Sequence, residues 1–295
     1  MKAVLIGARG QLGQDIIRVW REDDIVPLNH TEVDVCDAAA VRDAIESARP
    51  DVVVNTAAYH RVDDCESEVA KSFAVNAEGA LNVARAAAAV GAPVVFVSTD
   101  YVFDGHSSAP YTERCVARPL NVYGASKLAG ETLVAQANPQ HYIVRASGLF
   151  GVAGASGKGG NFIELMIRLA KDGKPIRVVA DEALAQTSTN DLAAGIREIV
   201  HSDSFGIYHA ANQGGLSWYH FARMIFDATG QILAARLIRG GSYTLLSLPS
   251  GDERGSVPAS SCATPYPALL AWWPMLPIEA RGFTPDVAAR AMAGI

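Results

Sequence analysis

The sequence has only four cysteines, Cys36, Cys65, Cys115 and Cys262, and none stands in CxxC spacing or beside a histidine pair. That scatter excludes a recognisable zinc site and a disulfide framework, and it fits a reducing compartment. No run approaches the roughly 18 uncharged apolar residues of a membrane span. The apolar stretch between Met1 and Gly7 is too short for a signal peptide. An excess of basic residues is missing too: 25 Lys and Arg face 31 Asp and Glu, a net charge of −6. This argues against a general nucleic-acid or anionic-membrane surface. The seven histidines show no metal-ligand spacing, so the residues define no metal site. Internal repeats and coiled-coil heptads are absent as well. The absences point to a cytoplasmic protein without nucleic-acid or membrane partners.

What is present is a full complement of core residues, 49% apolar against 19% charged over 295 positions. Short β-branched runs at residues 3–6, 25–28, 52–54, 94–97 and 142–144 alternate with helical stripes. Among these stripes, Phe73, Ala77, Ala80, Leu81 and Ala84 predict one long helix. Strands separated by single helices imply right-handed crossovers and a parallel sheet. The predicted fold is α/β: a Rossmann-type doubly wound parallel sheet over residues 1–150, with a smaller C-terminal substrate lobe over 151–235. Glycines crowd residues 151–160, which reads as a mobile loop. Trp218, Phe221 and Ile225 recur at helical spacing and read as core.

Gly7, Gly10 and Gly13 fall between the first strand and the first helix. There a dinucleotide's pyrophosphate meets backbone N–H groups and the positive helix end. Gly7 permits the turn, Gly10 the close approach of phosphate, and Gly13 the packing of helix on strand. The second strand is followed by Asn29, His30 and Thr31, with Glu32 and Asp34 read as lying beyond its end. An acidic residue at that end is the usual partner of an NAD ribose. Its absence, with Arg9 in the glycine loop to meet a 2′-phosphate, favours NADPH and leaves NADH as the alternative.

The run Ser98, Thr99, Asp100, Tyr101, Val102, Phe103, Asp104, Gly105 closes a strand, and Tyr123 precedes Lys127 by four residues. That spacing sets phenol and ammonium on one helix face. An ammonium beside a phenol, together with a nicotinamide cation, is expected to lower the tyrosine pKa, and such a tyrosine can protonate the alkoxide formed at a reduced carbonyl. Thr99 can hold the same oxygen.

Together with Asn55 to Tyr59, Val75 to Gly79 and the segment from Asn55 to Glu66, these motifs resemble the dTDP-4-dehydrorhamnose reductase family of extended short-chain dehydrogenase/reductases. The resemblance covers roughly residues 1–230, and its unbroken block from Ser98 to Gly105 is specific to this subfamily. It implies NADPH-dependent reduction of the 4-keto group of a dTDP-4-dehydro-6-deoxy sugar. Catalysis is then expected from Thr99, Tyr123 and Lys127. Cofactor contacts are expected from Gly7, Arg9, Gly10, Gln11, Leu12, Gly13, Asp34, Val35, Ala57, Ala58 and Tyr59. Sugar contacts are expected from Asp100, Val102, Phe103, Asn161 and Phe162. The resemblance also allows Mg2+, as in some members, and a homodimer; the residues themselves show neither.

Four positions in the matched region depart from the family pattern, the first being Cys65, which stands where the family block has alanine. The family carries Thr-Ser-Trp after the fifth strand, its tryptophan packing on the sugar, where this chain has Ala146, Ser147 and Gly148. A family proline before Thr187 is here Gln186. Residues 236–295 are atypical: half of the 14 prolines lie there, lysine is absent from Gln231 onward, and the family's RPxxSxLxN block is missing. A shifted reading frame across residues 256–264 permits that block. The expectation is an irregular, exposed segment over residues 240–267. Two other readings are a non-catalytic NADP-binding subunit, like the methionine adenosyltransferase β subunit, and a sugar-nucleotide epimerase or dehydratase. The complete Thr99, Tyr123, Lys127 set weighs against the first. The second would hold NAD tightly and call on Asp100 as an extra acid or base.

Overall fold

A computed structural model describes residues 1–107, 109–153, 160–173, 175–229 and 237–240. Most of the glycine-rich loop, with Lys158, and the expectations for residues 241–295 lie outside the described residues.

The chain opens with β1 (Lys2–Ile6), α1 (Gln11–Val19), β2 (Asp24–Leu28), α2 (Ala38–Ala48) and β3 (Val52–Asn55). It continues through α3 (Val62–Ser67), α4 (Val69–Phe73), a π-helical turn (Ala74–Glu78), α5 (Gly79–Ala89) and β4 (Val94–Thr99). A single 3-10 turn (Asp100–Val102) leads towards α6 (Val122–Ala137), β5 (His141–Ala146) and β6 (Leu149–Phe150). Then follow α7 (Phe162–Lys171), β7 (Ile176–Val179), β8 (Ala183–Leu184), β9 (Thr187–Ser188) and α8 (Thr189–Val200). The described chain closes with β10 (Gly206–His209), β11 (Leu216–Ser217), α9 (Trp218–Thr229) and β12 (Leu237–Gly240).

Six strands form the main sheet in the order β10-β5-β4-β3-β1-β2, every neighbouring pair parallel. The side-chain period of two sends alternate residues to opposite faces. Ala3, Leu5, Val52, Val54 and Val144 pack with Leu12 and Ile16 of α1 and Leu192 and Ile196 of α8. Val4, Ile6, Val53 and Phe96 pack with Val41 and Ile45 of α2 and Val83 of α5. Both faces are therefore covered, as a parallel sheet requires. A third cluster joins Phe150, Ile163, Ile167, Ile176 and Val178 to Phe221 and Ile225 of α9. Among the described residues no helix is long and apolar enough to cross a membrane.

Strand order reverses at β1, whose neighbours β2 and β3 lead away on either side. Ligands of open parallel sheets bind at such a switch point, beyond the carboxyl ends of the strands. The helix predicted from Phe73 to Ala84 is present and runs on from Val69 to Ala89, widened at Ala74–Glu78 into a π-helical turn with a visible cause. Inside that turn, buried Asn76 accepts from Tyr59 N (2.8 Å) and donates to Tyr59 O (3.0 Å) and Ser126 Oγ (2.9 Å). A widened turn holds this amide between the β3 loop and α6.

Candidate active site

The glycine loop is built as its sequence requires. Gly7 adopts φ +84°, a left-handed conformation that suits glycine. Its N–H donates to Leu28 O (2.9 Å), tying the end of β1 to the end of β2. A Cβ at Gly13 would stand 2.5 Å from Gly7 O, so only glycine lets α1 sit this close to the loop. Gly10 caps α1 without any side-chain hydrogen bond, and its α-carbon faces Gly7 O with little room to spare. A helix N-terminus without a side-chain cap, reached over a backbone stripped of Cβ atoms, fits a pyrophosphate. Arg9 is exposed in this loop, while Gln11 is half-buried and Leu12 packs into the core.

The remaining expected cofactor residues flank the switch point. Ala57 N donates to Asn55 Oδ1 (3.0 Å), and Ala57, Ala58 and Tyr59 leave β3 half-buried. Asp34 is exposed and accepts from Cys36 N (2.9 Å), whereas the Val35 side chain is buried against Gly79. Glu32, read from sequence as lying beyond the strand, turns back to it: its carboxylate accepts from Asn29 N at 2.8 Å.

The catalytic candidates converge at the carboxyl end of β4. Thr99 is its last residue, and its hydroxyl acts on the Tyr123 phenol, which enters from the first turn of α6, partly offsetting the rise that burial imposes. Asn121 caps α6 by accepting from Gly124 N (2.7 Å), which fixes where Tyr123 enters. Tyr101 meets Tyr123 edge to face, ring centroids 5.7 Å apart. Thr99 also donates to Asp100 Oδ1 (3.1 Å), and Ser147 donates to Asp100 Oδ2 (2.6 Å). Burial raises the Asp100 pKa despite those two donors. Glu182, whose pKa burial also raises, lies near enough to Asp100 for the two charges to repel, and its backbone carbonyl accepts from Trp218 N at 3.3 Å.

Without the nicotinamide cation that the expected lowering of the Tyr123 pKa also called on, burial pushes that phenol up, with Thr99 partly opposing. The setting of the lysine matters here. Lys127 is 1% exposed, donates to Val97 O at 2.6 Å and stands 4.0 Å from the centroid of the Phe96 ring. Burial pulls its pKa down to about 7, with Glu131 one turn along α6 opposing. An ammonium that burial disfavours gives the phenol less field.

The candidate sugar residues divide. Val102 and Phe103 are buried in a small cluster with Tyr111, the Phe103 and Tyr111 rings stacked at 4.3 Å. Their side chains are taken up by the protein, leaving their backbone for a ligand. Asn161 forms a capping box with Glu164 at the start of α7, and its Nδ2 donates to Gly151 O (2.7 Å) and Gln11 Oε1 (3.3 Å). It thereby links the substrate helix to the glycine loop. Phe162 is half-buried against Trp218, centroids 4.7 Å apart. Trp218 itself, read as core, is half-buried and packs against the third cluster. Three participants carried no motif in the sequence: Ser147, Glu182 and the buried Glu131–Arg145 ion pair (2.6 Å) beneath Lys127. Among the described residues no group of three or more His, Cys, Asp or Glu is placed to hold a metal.

The family profile described as the RmlD substrate binding domain matches residues 1–238. The dTDP-4-dehydrorhamnose reductase of Streptomyces griseus is 40% identical over 262 residues, 86% of this chain and 84% of that protein. The chain belongs to this family. The dTDP-4-dehydrorhamnose reductase of Sinorhizobium fredii is 37% identical over 269 residues, 88% of each chain. A crystal structure of the Bacillus anthracis reductase, in complex with NADP, shares the fold with a TM-score of 0.78 and 32% identity, covering 99% of both chains. The RmlD family thus accounts for the glycine loop, the parallel sheet and the third cluster together.

Proposed function

We propose that this RmlD-family protein reduces the 4-keto group of dTDP-4-dehydrorhamnose with NADPH, giving dTDP-L-rhamnose. The observation that carries the reading is the convergence of Thr99, at the carboxyl end of β4, with Tyr123 in the first turn of α6 and Lys127 one turn further along the same helix. When bound along the glycine loop, NADPH supplies the hydride that reduces the carbonyl carbon. Gly7, Gly10, Gln11 and Gly13 are the residues to hold its pyrophosphate.

Tyr123 is the proton donor. Its raised pKa keeps the phenol protonated at neutral pH, so a proton is in place before the carbonyl oxygen gains charge. Thr99 orients that oxygen, and the Asp100–Ser147 pair orients Thr99. Lys127, anchored on Val97 O, fixes the floor of the site beneath α6. Residues 1–150 hold the cofactor in this reading, and α7, α9 and the Phe162–Trp218 wall face the sugar nucleotide.

The Asp100–Glu182 pair favours a second reading, since two half-buried carboxyls near the Tyr101–Tyr123 ring pair could move a proton on and off carbon in an epimerase. Stoichiometry separates the two. The reductase consumes one NADPH for each dTDP-sugar converted, whereas an epimerase turns over its sugar with no net loss of reduced cofactor.

A further inference from the structure

A threonine hydroxyl has one proton to give and two lone pairs to accept with. Thr99 caps the 3-10 turn that follows β4, and one lone pair accepts from Tyr101 N at 3.3 Å. Its proton goes to Asp100 Oδ1 at 3.1 Å. While Asp100 is a carboxylate, which only accepts, Thr99 keeps one free lone pair and no free proton. It then has nothing to donate to a carbonyl oxygen that gains charge during reduction. A neutral Asp100 reverses the arrangement: Oδ1–H donates to Thr99, and the Thr99 proton is released to point elsewhere.

The other carboxyl oxygen is held in place. Thr99 and Ala146 are register partners on β4 and β5, so the residues after them, Asp100 and Ser147, meet. Ser147 Oγ donates to Asp100 Oδ2 at 2.6 Å, which leaves Oδ1 to Thr99 in either protonation state. The titratable groups around Asp100 are Tyr101 beside it, Tyr123 of α6 and Glu182 ahead of β8, with Asp63 of α3 beyond Tyr101. All are neutral or negative, and the ammonium of Lys127 is bound to Val97 O instead. Burial raises the Asp100 pKa against both hydroxyl donors.

We propose that Asp100 is a positioning residue: its carboxyl decides whether the Thr99 hydroxyl donates to the substrate oxygen, and the neutral acid is the working form. The proposal rests on the reductase reading, in which Thr99 holds the oxygen that Tyr123 protonates. It assigns Asp100 no contact with the sugar and no proton exchange at carbon.

The test is the profile of kcat from about pH 5.5 to 9 with NADPH and dTDP-4-dehydrorhamnose, for wild type, Asp100→Asn and Ser147→Ala. Thermal unfolding and NADPH binding check that each variant is folded. Asparagine has the shape of the neutral acid and, with Nδ2 towards Thr99, is a donor at every pH. Wild-type kcat should fall with rising pH, by about tenfold for each unit above the Asp100 pKa, as the neutral fraction does. Asp100→Asn should lack that fall, so that at pH 9 its kcat exceeds the wild-type value by about tenfold or more. Ser147→Ala should move the fall to higher pH, because it removes a donor that stabilises the carboxylate.

A wild-type profile without the fall overturns the proposal, and so does a folded Asp100→Asn slower than wild type throughout. A fall that persists in Asp100→Asn belongs to Lys127 or Glu182 and also overturns it. If Asp100→Asn does not fold, an unmoved profile in Ser147→Ala overturns it, and failure of both variants to fold assigns the pair to structure alone. A wild-type protein that binds both ligands without turnover is a different result, and overturns the reductase reading itself.

Discussion

Replacing Lys127 by methionine should stabilise the protein while removing its activity. The ammonium is 1% exposed, and burial moves its pKa from 10.5 to about 7. At about 1.4 kcal/mol per pH unit, that displacement corresponds to roughly 5 kcal/mol held against the folded state below pH 7. Methionine keeps the packing on Phe96 but gives up the bond to Val97 O, a net loss of about 1.5–3 kcal/mol for a charged donor. The balance is a gain of roughly 2–3 kcal/mol for Lys127→Met at pH 6 to 7. Between pH 7 and 10.5 the unfolded chain binds a proton that the folded lysine does not, so wild-type stability rises with pH across that window. The advantage of the variant therefore shrinks, by roughly 3 kcal/mol from pH 7 to 9.5. Chemical denaturation of both proteins at several pH values measures this difference, and other titrating groups cancel from it. A variant less stable than wild type at pH 6, or a difference that does not move with pH, refutes the reasoning.

Three further outcomes are expected. Tyr123→Phe should lower kcat by about 10²-fold or more while NADPH still binds, since a positioned general acid contributes about 10²–10⁴; undiminished turnover removes Tyr123 from the chemistry. Glu131→Gln should cost about 3–5 kcal/mol in denaturation, because it strands the buried Arg145 guanidinium, and a loss below about 1 kcal/mol contradicts that. NADPH should give the higher kcat/KM through Arg9, and a clear NADH preference would point instead to Glu32, whose carboxylate returns to the end of β2.

Much of the fold was legible because parallel strands buried on both faces leave continuous β-branched runs, as in Val52 to Val54, punctuated by helical stripes. The glycine loop was legible for a steric reason: Gly7 and Gly13 stand where a Cβ has no room. The rest was not legible, because distant partners decide it. The stripe from Phe73 to Ala84 has helical spacing throughout, and nothing local tells that Asn76 must reach both Tyr59 and Ser126. Spacing set Tyr123 and Lys127 on one helix face but could not show that Val97 O, thirty residues earlier, claims the ammonium. Trp218 packs against the third cluster as its spacing implies, and only the fold brings Phe162 against it. The meeting of Asp100 and Ser147 likewise depends on β4 pairing with β5.

The central claim is that the cluster at the end of β4 carries out a net reduction. The most direct measurement follows the absorbance of reduced nicotinamide when the protein is mixed with NADPH and dTDP-4-dehydrorhamnose, with the sugar product identified from the same reaction. The account predicts one NADPH consumed for each dTDP-L-rhamnose formed, and loss of both signals together in Tyr123→Phe. Conversion of the sugar without consumption of NADPH, or no conversion by a protein that binds both ligands, contradicts it.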